Sequence, residues 1–272
     1  MLFELTFSVF TFFLGTVVGS FLNVVIYRHE KGMTLGGRSR CPHCGKTIPW
    51  QELVPIFSFF ILKGKCFDCK SSISIQYPIV EFLTAVLFTL TWLKHPFISE
   101  GGVDPIPFLV LVVIWSALIV LSVYDLKYKI LPDRFVAIFI AASLIWFFFT
   151  PNSHSLIQGD LLGGPILFLF FFIFWFFSRG RWMGFGDAKL ALGMGIFLGI
   201  SQGVTATILA FWIGAVVALS LMTVQRYTES KSLRMDNKRI TMKSEIPFGP
   251  FLILGTIITF FMDLNIFIYL AI

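Results

Sequence analysis

Long apolar runs with few charged residues are the feature that most constrains the fold of this chain. Of its 272 residues, 57% are hydrophobic and only 13% are charged, whereas soluble domains average about 25% charged residues. A run of about 20 apolar residues is long enough to cross a bilayer as a helix. We therefore predict an all-α polytopic membrane protein with about eight transmembrane helices, at 5–27, 78–93, 106–124, 135–150, 161–178, 188–200, 203–224 and 248–271.

The positive charges are distributed unevenly between the predicted loops. Of the 21 Lys and Arg residues, 20 lie in the four alternate loops 28–77, 125–134, 179–189 and 225–247, and Lys94 is the exception. Because basic loops stay in the cytoplasm, these four loops are predicted to be cytoplasmic and both termini to lie outside. The net charge of +6 then reports topology and contact with membrane lipid, and no nucleic-acid partner is expected.

All four cysteines lie in the first basic loop, as two Cys-x-x-Cys pairs. This spacing is typical of a structural zinc site, in which four thiolates surround one metal ion. Two disulfides are the alternative, and a cytoplasmic position disfavours them because thiols there are kept reduced. We predict a small zinc-binding insert between helices 1 and 2, with Zn²⁺ held by Cys41, Cys44, Cys66 and Cys69.

The chain is thus predicted to have three parts. These are a first transmembrane helix at 1–27, a cytoplasmic four-cysteine insert at 28–77 and a helical membrane body at 78–272. An insert of this size has a thin apolar core and needs a staple such as zinc in order to fold.

Two aspartates lie at the cytoplasmic edges of predicted spans. Asp125 ends the third span, and Asp187 follows Gly184 and Gly186 at the start of the sixth. The two glycines supply a backbone that can bend tightly and admit another chain. Taken alone, Asp187 favours a helix N-cap. Two carboxylates at one depth, however, form a pair that can share a proton, activate water and protonate a leaving amine, which is the requirement of aspartic peptide hydrolysis.

Three other ionisable residues accompany this pair. Asp133 is the alternative partner, or else it caps the next helix and pairs with Arg134 or Lys129. Glu81 is an acid within the second span, where it pairs with a basic residue of the insert or helps to form a binding pocket. Lys189 sets the local field around Asp187 or extends to the membrane interface.

Several stretches of the chain resemble the type IV prepilin peptidases, also called leader peptidase/N-methyltransferases. The resemblance covers nearly the whole length, and Gly-x-Gly-Asp is its most characteristic motif. The matching stretches are GSFLNVVIYR (19–28), SRCPHCGKTI (39–48), KGKCFDCKSSISIQYPIVE (63–81), DLKYKILPD (125–133), GFGDAKL (184–190) and PFGPFL (247–252). The chain departs from the family at Leu53, where relatives often have Asn.

The resemblance implies a multi-pass aspartic endopeptidase of the bacterial cytoplasmic (inner) membrane, with its active site facing the cytoplasm. It implies that Asp125 and Asp187 are catalytic and that the substrates are type IV prepilins or pseudopilins, cut after a glycine. It also implies methylation of the new N-terminus with S-adenosyl-L-methionine, an activity associated with the cysteine-bearing region.

Three other functions stay open on the sequence. The first is a Gly-x-Gly-Asp intramembrane peptidase without methyltransferase activity. The second is a proton-coupled transporter, which the position of both acids at the membrane edge disfavours because transporter sites lie near the midplane. The third is a non-enzymatic scaffold that holds partners through the insert.

Overall fold

The structure is a computed structural model, and it describes residues 2–94, 98–99, 102–103, 105–149, 161–229 and 247–267. Residue 150, most of the predicted basic loop 225–247 and the last residues of the final predicted span, 268–271, lie outside these ranges. By its contacts the chain divides into two compact units, Met1–Val120 and Leu121–Ile272. The three-part division predicted from the sequence stays a prediction.

Most of the described residues are helical. The helices are α1 (Leu2–Glu30), α2 (Phe57–Ile61), α3 (Gln76–Lys94), α4 (Pro105–Tyr128), α5 (Asp133–Phe147), α6 (Gly163–Ser178), α7 (Phe185–Glu229) and α8 (Gly249–Met262). A 3₁₀ helix at Trp50–Leu53 precedes α2, and the two-residue strands β1 (Ile98–Ser99) and β2 (Gly102–Val103) pair antiparallel between α3 and α4.

Within the described residues, the predicted count of eight membrane helices is confirmed when α7 is counted as two. A backbone break at Gly199, with φ 76° and ψ 175°, interrupts α7, whereas the sequence suggested a break at 201–203. The left-handed φ explains this difference, because glycine adopts it without steric cost. Four described helical spans are long and apolar enough to cross a bilayer, at Glu4–Glu30, Gln76–Lys94, Pro105–Tyr128 and Phe185–Thr223, and α6 and α8 are shorter apolar helices. The protein is therefore a multi-pass membrane protein.

In the first unit, α1 packs closely on α3 because small residues line the contact. Gly15 and Gly19 lie one turn apart in a Gly-x-x-x-Gly pattern, which lets two helix backbones approach closely in a membrane. A β-carbon on Gly19 would lie 2.7 Å from the α-carbon of Glu81. At the end of this contact the Asn23 amide donates to the Tyr77 carbonyl at 3.2 Å. The core of the unit is formed by fully buried residues that include Phe88 and Trp115.

In the second unit, α6 and α8 both pack on α7 through glycines. A β-carbon added to Gly195 of α7 would collide with the backbone of Gly163 in α6. A β-carbon on Gly255 of α8 would collide in the same way with the Ala206 carbonyl of α7. These contacts, together with buried side chains such as Phe139 of α5, hold α6 and α8 against the middle of α7, on either side of Gly199.

The close contact of α6 with α7 predicts that alanine substitutions at two glycines of α7 change the stability of the protein by different amounts. Gly195→Ala should lower the free energy of unfolding by about 1–3 kcal/mol, because the backbones must separate. Gly214→Ala is the matched control: its β-carbon would lie 3.4 Å from the Phe251 ring, an ordinary contact, and alanine favours the helix by about 0.5–1 kcal/mol. Circular dichroism during unfolding in detergent measures both. Equal stability of the two variants would contradict this packing.

Candidate active site

Two buried aspartates lie at helix ends in the second unit. Asp125 belongs to the last turn of α4, and Asp187 is the third residue of α7. Only 6% of Asp125 and 8% of Asp187 is exposed. An acid in such surroundings requires hydrogen-bond donors, since an unpaired charge is costly to bury.

The donor to Asp125 comes from the start of α8. The backbone N–H of Gly249 donates to Oδ2 of Asp125 at 2.9 Å. This N–H belongs to the first turn of a helix, where donors have no partner within the helix and the dipole favours a negative charge. A β-carbon at position 249 would lie 2.6 Å from the same oxygen. Glycine is therefore required here to leave room for the carboxylate.

The donor to Asp187 precedes α7. The N–H of Gly184 donates to Oδ2 of Asp187 at 3.2 Å, so the carboxylate reaches back from the third helical position to the residue before the helix. This is the acidic half of a capping box. The expectation from the sequence that a carboxylate caps this helix is thus met, but from within the first turn.

Leu131, in the turn between α4 and α5, connects the surroundings of the two acids. A β-carbon on Gly186 would lie 3.0 Å from Cβ of Leu131, and one on Gly249 would lie 3.5 Å from Cδ2 of the same side chain. The carboxylates of Asp125 and Asp187 are near enough for charge on one to act on the other. The fold thus brings together two acids that are distant in the sequence.

The glycines of the Gly-x-Gly-Asp stretch differ from the expectation of a tight bend. Neither Gly184 nor Gly186 has a left-handed φ. The nearest side-chain atom to a β-carbon on Gly184 would be Oδ2 of Asp187, at 3.6 Å. Gly186 alone is confined by a neighbour, Leu131, so space and not backbone freedom explains the second glycine.

Asp133 and Lys189 form an ion pair beside the site. Nζ of Lys189 lies 2.7 Å from Oδ1 of Asp133 and 4.8 Å from the centroid of the Phe185 ring. The sequence suggested Arg134 or Lys129 as the partner of Asp133, but the turn after α4 presents this acid to α7 instead. The Asp133 side chain is 76% exposed, so it lies in a far wetter environment than Asp125.

Glu81 lies in the other unit, where it is buried in α3. Its Oε2 accepts the backbone N–H of Ile56 at 2.7 Å. The sequence predicted that Glu81 pairs with a basic residue of the insert or helps to form a binding pocket, and the second role stays a prediction. The observed partner is a backbone donor of that insert, which satisfies the carboxylate without a second charge.

The four cysteines form one cluster in the insert. All are free thiols, and the four sulfur atoms lie within 4.8 Å of one another. The Sγ atoms of Cys41 and Cys69 are 3.9 Å apart, close to the roughly 3.8 Å separation that a tetrahedral site with Zn–S bonds of about 2.3 Å requires. The cluster thus suits a divalent metal ion. The four cysteines do not form the two disulfides that were the alternative.

Each Cys-x-x-Cys pair folds as a tight knuckle with the same backbone pattern. The N–H of Cys41 donates to the Lys46 carbonyl, and the N–H of Cys66 donates to the Ser71 carbonyl, both at 2.9 Å. Hydrogen bonds from the hydroxyl and backbone of Ser71 lower the pKa of Cys69 to about 6, which favours the thiolate that a metal binds.

Sequence reasoning missed Leu131 and Ile56. These two residues act through shape or through a backbone N–H, and neither leaves a chemical signature in a sequence. It singled out Gly249, the glycine of PFGPFL, either as a break that opens onto the active-site cavity or as a proline-marked helix start.

Comparison with known proteins identifies the family. Residues 13–95 match the Bacterial Peptidase A24 N-terminal domain, and residues 111–219 match the Type IV leader peptidase family. Both buried acids, Asp125 and Asp187, lie in the second match, as does the ion pair of Asp133 with Lys189.

Curated relatives agree with this match. A Type 4 prepilin-like proteins leader peptide-processing enzyme of Escherichia coli is 34% identical over 92% of this chain and 91% of its own length. A Prepilin leader peptidase/N-methyltransferase of Myxococcus xanthus is 34% identical over 79% of this chain, a match that spans 63% of that relative. One of the same name from Pseudomonas aeruginosa is 29% identical over 91% of this chain and 88% of its own length. No solved structure is significantly similar. The chain belongs to the type IV leader peptidase family.

Proposed function

We propose that this protein is a membrane aspartic endopeptidase that removes the leader peptide from type IV prepilins or pseudopilins. The observation that carries the proposal is the pair of buried acids, Asp125 and Asp187, each held by a backbone N–H at a helix start and each within electrostatic range of the other. Membership of a family whose curated members are named prepilin leader peptidases supplies the substrate class.

The chemistry follows from the behaviour of paired carboxylates. Two acids in one site do not both ionise readily, so the pair shares one proton. The ionised member takes a proton from water, and the protonated member polarises the scissile carbonyl and later supplies a proton to the leaving amine. The roles belong to the pair and are not divided between Asp125 and Asp187. The two backbone N–H donors hold the oxygens in position while the proton moves.

The position of the acids favours hydrolysis over transport. Asp125 lies in the last turn of α4 and Asp187 in the first turn of α7, whereas coupling-ion sites of transporters lie near the bilayer midplane. A cut at the end of a substrate's own membrane helix requires catalytic groups at this depth. With the positive-inside rule, the acids face the cytoplasm from the bacterial inner membrane, and both termini lie outside.

We also propose that the protein methylates the new N-terminus, since the relatives named above include N-methyltransferases. S-adenosyl-L-methionine is the methyl donor that the family implies, and we assign no residue of this chain to it. Zn²⁺ in the four-cysteine cluster would supply structural stability: Cys41, Cys44, Cys66 and Cys69 would hold it. A peptidase of the same type that lacks methyltransferase activity is the alternative.

Removing either acid should abolish cleavage without removing the protein from the membrane. Asp125→Asn and Asp187→Asn keep the size of the side chain but cannot accept the proton of water, and general acid–base catalysis contributes about 10²–10⁴-fold. Mass spectrometry of a co-expressed prepilin reports leader loss and a methyl mass shift together. Asp133→Asn is the control, which should retain cleavage. Full cleavage by Asp125→Asn or Asp187→Asn would refute the hypothesis that these two acids form the catalytic pair.

The limited space around Asp125 predicts that alanine at position 249 lowers the cleavage rate more than alanine at position 184. Gly249→Ala should lower cleavage on the order of 10²-fold, because the new methyl group displaces a catalytic carboxylate. Gly184→Ala adds the same group 3.6 Å from Oδ2 of Asp187 and should retain most activity. Initial rates with a purified prepilin compare the variants in detergent. Similar rates for both would show that the hydrogen bond from residue 249 does not position the acid.

The cysteine cluster predicts one metal ion per chain. Cys41→Ser should lose bound zinc and weaken the insert and methylation more than cleavage, because the site contributes to folding. Ser71→Ala, which changes a neighbour of Cys69 but no ligand, should retain zinc. Inductively coupled plasma mass spectrometry of the purified protein measures the zinc content. If Cys41→Ser abolished cleavage but still methylated pilin that had already been cut, the insert would contribute to cleavage and not to methylation, contrary to this prediction.

A further inference from the structure

The insert exposes apolar side chains that the proposed peptidase chemistry does not use. They occupy the 3₁₀ helix, α2 and the turn between these helices. Two of them are among the most exposed apolar residues of the unit, Trp50 at 72% and Ile61 at 78%. Large apolar side chains exposed together in one short segment are typical of an interaction site. We call it the insert strip, and its members are Trp50, Leu53, Val54, Phe57, Phe60 and Ile61.

The depth of the insert strip is set by a hydrogen bond to α3. Ile56, in the middle of the strip, donates its N–H to Glu81 at 2.7 Å. Glu81 is the sixth residue of α3, which begins at Gln76, and five residues correspond to about 7–8 Å along a helix axis. The 19 residues of α3 span about 28 Å, close to the hydrocarbon thickness of about 30 Å. Ile56 therefore lies below the end of α3, at the level of the leaflet.

The backbone at Ile56 is shaped for this position. Ile56 has φ 63° and ψ −56°, and the Phe57 N–H donates to the Pro55 carbonyl at 2.6 Å, which closes a three-residue turn. A β-branched residue adopts such a conformation only when its surroundings hold it there. The buried carboxylate of Glu81 is the group that holds it.

Several backbone donors in the strip and the turn after it form hydrogen bonds within the protein. Besides the bond to Glu81, the Ser58 N–H donates to the Val54 carbonyl and the Leu62 N–H to the Ser58 carbonyl, at 3.0 and 2.9 Å. The Gly64 N–H donates to the Phe59 carbonyl at 2.8 Å. Internal satisfaction of this kind is what a segment in contact with lipid requires, since hydrocarbon offers no partners.

The surroundings of the strip match a bilayer surface. Exposed side chains of α3 at the same level, Ile79, Phe82 and Leu83, are also apolar, so α3 presents a lipid-facing surface at the depth of Ile56. Residues 28–77 contain eight Lys and Arg but only three acids, which favours anionic headgroups. Tryptophan, as at position 50, is enriched at membrane interfaces.

We propose that the insert strip is an interfacial membrane anchor, embedded in the leaflet that holds the N-terminal end of α3. Its partner is the lipid bilayer itself, with apolar side chains among the acyl chains and basic residues of the insert at anionic headgroups. The anchor ties the four-cysteine cluster to the membrane surface and to α3, so the insert is not a freely tethered domain. The inference does not depend on the peptidase reaction.

Photocrosslinking of the full chain tests this anchor. The photoreactive residue p-benzoylphenylalanine replaces Phe60 in one variant and Phe67 in another, and each is reconstituted into vesicles of phosphatidylcholine and phosphatidylglycerol that contain a labelled lipid. Both phenylalanines are exposed, but Phe67 lies in the second cysteine knuckle. We expect severalfold more lipid adduct at position 60 than at 67. Equal lipid labelling, or crosslinking at 60 mainly to a second copy of the chain or to added prepilin, would overturn the proposal.

Two substitutions of Glu81 test whether its hydrogen bond with Ile56 sets the depth of the insert strip in the membrane. Glu81→Gln keeps an acceptor for the Ile56 N–H, so lipid labelling at position 60 should persist. Glu81→Leu removes the acceptor, and labelling should fall toward the level seen at 67. Unchanged labelling in Glu81→Leu would overturn the assignment of the depth to this hydrogen bond, while the comparison of positions 60 and 67 in the otherwise native chain still decides whether the strip contacts lipid.

Discussion

The site depends on the need to satisfy carboxylates that the fold removes from water. A buried charge is tolerated only when donors surround it, and this chain finds those donors at helix starts, where backbone N–H groups lack partners. The N–H of Gly184 donates to Asp187, and the N–H of Gly249 donates to Asp125. The same requirement appears in the first unit, where the N–H of Ile56 serves Glu81. Asp125 and Glu81 thereby join segments that are far apart in the sequence, while Asp187 caps its own helix. In each case the bond to the buried acid also fixes its position.

Small residues make this arrangement possible. In a bilayer there is little hydrophobic gain from burying one apolar helix against another, so close backbone approach supplies the packing energy. Gly195 meets Gly163 in this way, and Gly255 meets Ala206. The break at Gly199 then divides α7 into two spans. Gly249 follows the same logic at the site itself, because the space that a side chain would fill is occupied by a carboxylate oxygen of Asp125.

The insert combines a four-cysteine cluster with a hydrogen-bonded contact to α3. The two cysteine knuckles repeat one backbone pattern and bring four sulfurs within 4.8 Å, which is a local consequence of their spacing. The Glu81–Ile56 hydrogen bond does not follow from local spacing, because it joins the insert to a residue within a membrane helix. The insert therefore has four clustered cysteines at its centre and one edge held against α3.

Much of this protein follows from sequence alone. The apolar runs determined the helical membrane fold, the Cys-x-x-Cys spacing determined the metal-type cluster, and the acids Asp125 and Asp187 were recognisable because charges at the edges of spans are costly. Tertiary structure decided which groups meet the acids: Gly249 at Asp125, Ile56 at Glu81 and Lys189 at Asp133. The physical reason is that periodicity and composition encode burial and local conformation. The partner of a buried polar group depends instead on how separate helices pack, and a backbone N–H looks the same in every residue of a sequence.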